Sequence, residues 1–309
     1  MVRIVSLLPS ATEILFAIGA GDDVVGVTFE CDFPDAARLR RIVSNTALPP
    51  GLTPAQIDDE VRARIAAGAD LYTLDEGALR DLNPDLIVTQ DLCAVCAVDI
   101  KEVDDALQHL GCHAEVLTLD PMTLDQVLES IEHVGTATGC NPRARTLVAE
   151  LHDRLDQVRA TVAGATRPRM AVLEWTDPPF SSGHWVPDMV TAAGAQSVLG
   201  NRGERSAPVG WDQVAAAGAD VIVVAPCGYR LDGAVALACE LVAAGVLPDG
   251  IPVWAVDADA AFVRPGPRLV DGVELLAHVA HPDLMPGIEG LGQCVRPCDQ
   301  PLRTAPRDR

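Results

Sequence analysis

The sequence predicts an α/β protein of two Rossmann-like lobes with parallel sheets, bridged by one long helix. Three observations carry that prediction. Arg3-Ile4-Val5-Ser6-Leu7-Leu8, running into Pro9-Ser10-Ala11-Thr12-Glu13 and Gly19-Ala20-Gly21, is echoed by Arg169-Met170-Ala171-Val172-Leu173-Glu174, running into Pro178-Pro179 and Gly194-Ala195. Asn83-Pro84-Asp85-Leu86-Ile87-Val88 is echoed by Gly218-Ala219-Asp220-Val221-Ile222-Val223. Between the halves, apolar residues recur at helical spacing from Leu147 through Leu151, Leu155 and Val158 to Val162. Strand-like runs alternating with helices give parallel sheets covered on both faces. Two such lobes leave a cleft between them, where a small molecule is expected to bind.

The elements follow in order. Val2 to Leu7 is a continuous apolar run, the pattern of a strand buried on both faces. Thr12 to Ile18 reads as a helix stopped by Gly19-Ala20-Gly21, and Val24 to Phe29 as the next strand. Residues 49–75 have no counterpart in the second half; within them Thr53 as cap and Pro54 at the first position open a helix reaching about Gly68. Leu86 to Thr89 and Ala114 to Thr118 complete the first sheet. Leu124, Val127, Leu128, Ile131 and Val134 mark a helix, interrupted at Gly139-Cys140-Asn141-Pro142 before the long one, which is about 35 Å at 1.5 Å per residue. The expected organisation is an N-terminal lobe over 1–120, connecting helices over 121–166, a C-terminal lobe over 167–290 and a flexible tail over 291–309.

At 309 residues, with 49% hydrophobic and 22% charged residues, the chain has the profile of a globular protein of about two domains. Its net charge of −21 argues against nucleic acid as a partner, because phosphate is repelled by such a surface. No apolar run approaches the roughly 18 residues of a membrane span. The first strand begins at Arg3, which leaves no room for a cleaved leader, and nine cysteines are an odd number for a disulfide framework. As written, the chain is expected to be cytoplasmic, and periplasmic or extracellular if it starts elsewhere.

Ligands of parallel sheets sit beyond the C-terminal strand ends, and the loops there carry a resemblance. Ser6-Leu7-Leu8-Pro9-Ser10-Ala11-Thr12-Glu13, Leu82-Asn83-Pro84-Asp85-Leu86-Ile87, Pro178-Pro179-Phe180-Ser181-Ser182-Gly183 and Arg264-Pro265-Gly266-Pro267-Arg268-Leu269-Val270-Asp271-Gly272 resemble segments of the ABC-transporter substrate-binding proteins for cobalamin and iron complexes. The likeness covers roughly residues 1–285 in order. It implies two lobes bridged by a long helix, a small-molecule ligand such as cobalamin whose corrin ring lies between aromatic side chains, and an ABC permease partner. The family carries one acidic docking residue on each lobe; the corresponding positions here are Gly77, with Glu76 adjacent, and Asp212 after Trp211.

Only 4% of the chain is aromatic, so Trp175, Phe180, Trp185 and Tyr229 near predicted strand ends are candidates to stack on a planar ligand; core packing is the alternative, and the favoured one for Trp254. Arg264 and Arg268 flank a stiff Pro-Gly-Pro and can hold an anionic group or pair with surface acids. Ser10 is a candidate ligand contact or a helix cap, Glu30 and Asp91 lie in candidate loops, and Glu174 would have a raised pKa if buried. Cys93 and Cys96 form a Cys-x-x-Cys after a strand. With Cys31 and His184 they can complete a tetrahedral set for zinc or iron, contact the ligand as thiols, form a redox pair, or be ordinary small core residues. The leading expectation is therefore a binding protein, not an enzyme; the alternative is a cytoplasmic metal- or thiol-dependent enzyme using Cys31, Cys93, Cys96 and His184.

Overall fold

The computed structural model describes residues 2–69, 71–90 and 114–296. The chain divides into two compact units: Met1–Pro121 with Gln126–Ala149, and Met122–Asp125 with Glu150–Arg309.

The N-terminal unit holds a six-stranded sheet built from β1 (Ile4–Ser6), β2 (Val24–Thr28), β3 (Arg41–Thr46), β4 (Tyr72–Leu74), β5 (Leu86–Thr89) and β6 (Glu115–Thr118), in the order β4-β3-β2-β1-β5-β6. All neighbours are parallel except β3 and β4. Helix α1 (Pro9–Ala17) follows β1, α2 (Pro54–Ala67) precedes β4, and α3 (Glu76–Leu82) precedes β5. Thr53 and Gln56 form a reciprocal capping box on α2, and Gly68 ends it at φ +64°. No residue of α2 is fully buried, as expected of a segment added outside the repeated plan. Val5, Leu7, Ile87 and Leu79 pack in the core beneath the central strands.

The C-terminal unit holds a second sheet, β12-β11-β10-β7-β8, with β9 beside β7. Its strands are β7 (Arg169–Thr176), β8 (Pro179–Ser181), β9 (Gln196–Ser197), β10 (Val221–Val224), β11 (Val253–Val256) and β12 (Gly292–Arg296). Its helices are α6 (Val186–Ala192), α7 (Trp211–Ala216), α8 (Leu231–Ala243), α9 (Ala258–Ala261) and α10 (Leu269–Ala280). Between the two sheets in sequence run α4 (Leu124–Ala137) and α5 (Asn141–Thr161). The 21 residues of α5 make it about 32 Å long. Arg154 on α5 makes a bidentate pair with Glu274 (2.8 and 2.7 Å) and reaches Asp271 at 2.6 Å, which fixes α5 to α10.

Both sequence echoes are structural. Arg3 and Asp85 join β1 to the chain entering β5: the Arg3 N–H donates to the Asp85 carboxylate at 2.7 Å and the Asp85 N–H returns to the Arg3 carbonyl at 2.8 Å. Arg169 and Asp220 repeat this between β7 and β10 at 2.8 and 2.7 Å. Each arginine side chain also donates to a carbonyl just before the echo, Arg3 to Leu82 and Arg169 to Ala217. Asn83 and Gly218 occupy the same left-handed turn, at φ +41° and +59°.

Three expectations are corrected. The sheets are mixed, because β4, β8 and β12 run antiparallel to their neighbours. Helix α1 starts at Pro9, not Thr12, because proline suits the first turn, where no N–H is needed. The predicted flexible tail is ordered over Gly292–Arg296: β12 pairs with β11, and the Arg296 guanidinium donates to the Ile251 and Pro248 carbonyls at 2.9 and 2.6 Å.

Candidate functional site

Each sheet has a point where strand order reverses. In the N-terminal unit β1 is flanked by β2 and β5; in the C-terminal unit β7 is flanked by β10 and β8. Open α/β sheets bind ligands beyond the carboxyl ends of the strands at such reversals.

In the C-terminal unit three loops are knit together there. The Cys227 N–H donates to the Glu174 carbonyl at 3.1 Å, tying the loop after β10 to the end of β7. The Asp259 N–H donates to the Tyr229 carbonyl at 3.3 Å, tying in the segment after β11. Trp185 Nε1–H donates to the Phe262 carbonyl at 2.7 Å.

The Trp175 and Tyr229 rings meet edge to face, with centroids 5.8 Å apart and an angle of 62°, a favourable aromatic arrangement. Both are partly exposed, as is Phe180, which pairs with Trp175 across β7 and β8. Trp175 Nε1–H donates to the Asp177 carbonyl at 3.2 Å. Gly233 gives the Tyr229 ring its room, since a Cβ there would stand 2.8 Å from it. Trp185 is different: it is 7% exposed and its indole N–H is used internally, so it packs within the unit.

Glu174 precedes Trp175 near the end of β7. Its Oε1 accepts from the Gly183 N–H at 2.8 Å, and the Ser206 hydroxyl donates to the same carboxyl. Burial pushes its pKa up to about 7, against the pull of those two hydrogen bonds. A Cβ on Gly183 would lie 2.2 Å from the Ser206 nitrogen, so the 204–206 segment can lie against this turn only because residue 183 is glycine. His184 follows at φ +51°, held by its N–H to the Glu204 carbonyl at 2.5 Å and by the Gly203 N–H to its own carbonyl at 3.0 Å. Burial first, then the Arg205 guanidinium, hold the His184 pKa below the usual imidazole range. The ring is therefore neutral at pH 7 and keeps a lone pair for a ligand. Arg264, its side chain 10% exposed, lies 3.6 Å from Asp259, and half-buried Arg268 occupies the cap position of α10.

In the N-terminal unit, the Tyr72 hydroxyl donates to Glu30 at 3.2 Å and its ring lies 6.1 Å from that of Phe29. Cys31 is 4% exposed, with its Sγ 3.0 Å from Thr12 Oγ1, which also donates to Ser6 Oγ at 2.8 Å. Ser10 is 1% exposed, and its hydroxyl neither caps α1 nor has another partner among the described residues. Asp91, Cys93 and Cys96 lie outside the described residues. Among the described residues no group of three or more His, Cys, Asp and Glu side chains is placed to hold a metal ion. Cys31 belongs to one unit and His184 to the other.

Three residues near the strand ends escaped sequence reasoning. Phe33, 45% exposed after β2, stands in the loop already singled out for Cys31. Cys227 and Ser206 touch Glu174, and nothing in the sequence signals contacts made across so many residues. Of the docking positions, Gly77 is exposed in the first turn of α3, which Asp75 caps through the Ala78 N–H at 2.8 Å, and Asp212 is exposed in the first turn of α7.

Comparison with known proteins bears on family and fold. A family described as periplasmic binding protein matches residues 4–237. An uncharacterized ABC transporter substrate-binding lipoprotein of Bacillus subtilis is 26% identical over 297 residues, covering 91% of this chain and 80% of the relative. A vitamin B12-binding protein of Vibrio cholerae is 25% identical over 277 residues, covering 88% and 86%. A periplasmic heme-binding protein from Pseudomonas aeruginosa shares the fold at a TM-score of 0.69 and 20% identity, over 96% of this chain and 99% of that one. These findings overturn the expected cytoplasmic location: a periplasmic family and a lipoprotein relative point outside the cytoplasm. These relatives give no support to an enzyme built on Cys31, Cys93, Cys96 and His184.

Proposed function

The chain belongs to the periplasmic binding protein family, and on that premise we propose that it captures cobalamin, or a metal complex of similar size and flatness, for an ABC transporter. The observation that carries the reading is the partly exposed Trp175–Tyr229 pair, with Phe180 beside it, at the strand-order reversal of the C-terminal unit. Broad rings with a fixed mutual angle suit a flat macrocycle, because they contribute large contact area at small entropic cost.

In this reading Trp175, Phe180 and Tyr229 stack on the ring. His184, neutral and partly exposed, offers its lone pair to the ligand's metal, while Arg264 and Arg268 receive its polar side groups. Glu174 and Trp185 hold these residues in place. Ser10, Glu30, Cys31, Asp91, Cys93 and Cys96 serve as contacts from the N-terminal half. Exposed Gly77 and Asp212, with Glu76, mark where a permease docks; one glycine among them makes that contact weaker than a pair of acids would be.

The test is calorimetric titration of the purified protein with cyanocobalamin, hemin and a ferric siderophore in parallel. Saturable one-to-one binding of cyanocobalamin supports the proposal. Binding of hemin or the siderophore alone replaces the ligand while keeping the solute-binding role.

A further inference from the structure

Residues 200–210, between β9 and α7, run as an irregular strap along β8, the edge of the second sheet. At one end Pro208 bridges Phe180, the Ser181 N–H donates to the Ala207 carbonyl at 2.9 Å, and the Val209 N–H donates to the Pro179 carbonyl at 2.8 Å. Near the middle the Ser206 hydroxyl donates to Glu174. At the other end the His184 N–H donates to the Glu204 carbonyl, and the Gly203 N–H to the His184 carbonyl. The fit is close: a Cβ on Gly200, at φ +92°, would stand 1.8 Å from the Ser182 carbonyl oxygen. His184 itself sits at φ +51°, a conformation that persists in a residue other than glycine only where its surroundings impose it. The strap therefore flanks Phe180, His184 and Glu174, the residue before Trp175.

The charges on the strap are placed unequally. Arg202 is committed to Asp188 at 2.7 Å and Asp125 at 2.9 Å, and the Glu204 carboxylate accepts from the Asn201 amide at 2.8 Å. Arg205 is exposed and stands between Glu204, which binds His184, and Ser206, which binds Glu174. Its charge reaches the His184 ring, where it acts against protonation. We propose that Arg205 is a specificity-determining residue of this site, and that it selects a flat metal complex bearing an anionic oxygen group, a carboxylate or a phosphodiester, at its rim. The inference rests on the functional reading above and deepens it. A guanidinium presents its donors as a planar fork that matches two oxygens of either group. The chain carries a net charge of −21, so the overall field repels an anion and the positive charge that receives it has to be local. A strap along the sheet edge brings that charge to the rim of a ring stacked on Trp175, not to its face.

The test is a thermodynamic cycle in the full chain. Affinities of the unaltered protein and of Arg205→Gln are measured for two pairs of ligands. Cyanocobalamin is paired with dicyanocobinamide, which lacks the phosphodiester, and hemin with its dimethyl ester, which lacks the carboxylates. Arg205→Gln is expected to bind the anionic member about tenfold more weakly and its anion-free counterpart within about twofold of the unaltered protein, because removing one partner of a contact makes removal of the other silent. Which pair shows the effect tells a phosphodiester from a carboxylate. Arg202→Gln, which takes an equal charge from the same strap, leaves both members unchanged; if it weakens the anionic member as much, the effect is one of net charge and the assignment falls. Equal weakening of both members by Arg205→Gln, no weakening of either, or tighter binding of the anion-free member by the unaltered protein also overturns it, and each leaves the functional reading standing. If the unaltered protein binds none of the four, the functional reading falls and this inference with it.

Discussion

Glu174 accepts the Gly183 N–H at 2.8 Å while its carboxyl sits where burial raises its pKa to about 7. An acid whose folded pKa lies above its unfolded value is favoured in its protonated form. The folded state therefore loses stability as pH rises from about 4.5 through 7, and regains it on acidification over that window. The loss is on the order of 3 kcal/mol. Glu174→Gln removes this dependence, so the difference in unfolding free energy between variant and unaltered protein grows across that window. Urea denaturation at pH 5, 6, 7 and 8 measures it; a constant difference refutes the assignment.

Gly183→Ala places a Cβ 2.2 Å from the Ser206 nitrogen and 2.7 Å from the Arg205 carbonyl carbon. Backbone cannot yield as a side chain can. The expected cost is about 1–3 kcal/mol, with loss of the His184 bonds to Glu204 and Gly203. Thermal melting reads the first, and amide exchange at Gly203 the second.

Trp185 and Trp175 separate stability from binding. Trp185→Phe removes the donor to the Phe262 carbonyl, and an unpaired buried carbonyl costs about 1–3 kcal/mol. Trp175→Ala and Tyr229→Ala are expected to weaken ligand binding about tenfold each, or about 1.4 kcal/mol. Chemical denaturation and calorimetry on the three variants check the division; equal affinity in all of them removes the aromatic pair from the site.

Asp188 accepts the Leu124 N–H at 3.0 Å, capping α4, and pairs with Arg202 at 2.7 Å. Asp188→Ala is expected to cost about 1 kcal/mol through the lost cap, with amide exchange fastest at the first turn of α4.

The strands were legible because the repeat is a physical one. Arg3 with Asp85 and Arg169 with Asp220 perform the same junction, so the two halves reuse the same residues around the same bonds. The α2 capping box was legible because Thr53, Pro54 and Gln56 are adjacent in sequence. Antiparallel β4, β8 and β12 were not, since strand direction depends on pairing and leaves no mark on an apolar run. The candidate site was legible as a set of loops, which supplied Trp175, Tyr229 and Glu174 as candidates. Trp185 came from them too, yet its indole N–H is committed to a carbonyl 77 positions away, a contact that no local pattern announces. Location was misread because the start of a chain says nothing about the compartment in which its relatives work.

The most direct test of the ligand claim is visible absorption and tryptophan fluorescence of the purified protein during titration with cyanocobalamin. The account predicts one corrin per chain, quenching of tryptophan emission, and dissociation in the micromolar range or tighter, about −8 kcal/mol. No quenching and no retained corrin after gel filtration, with the protein folded, would contradict it.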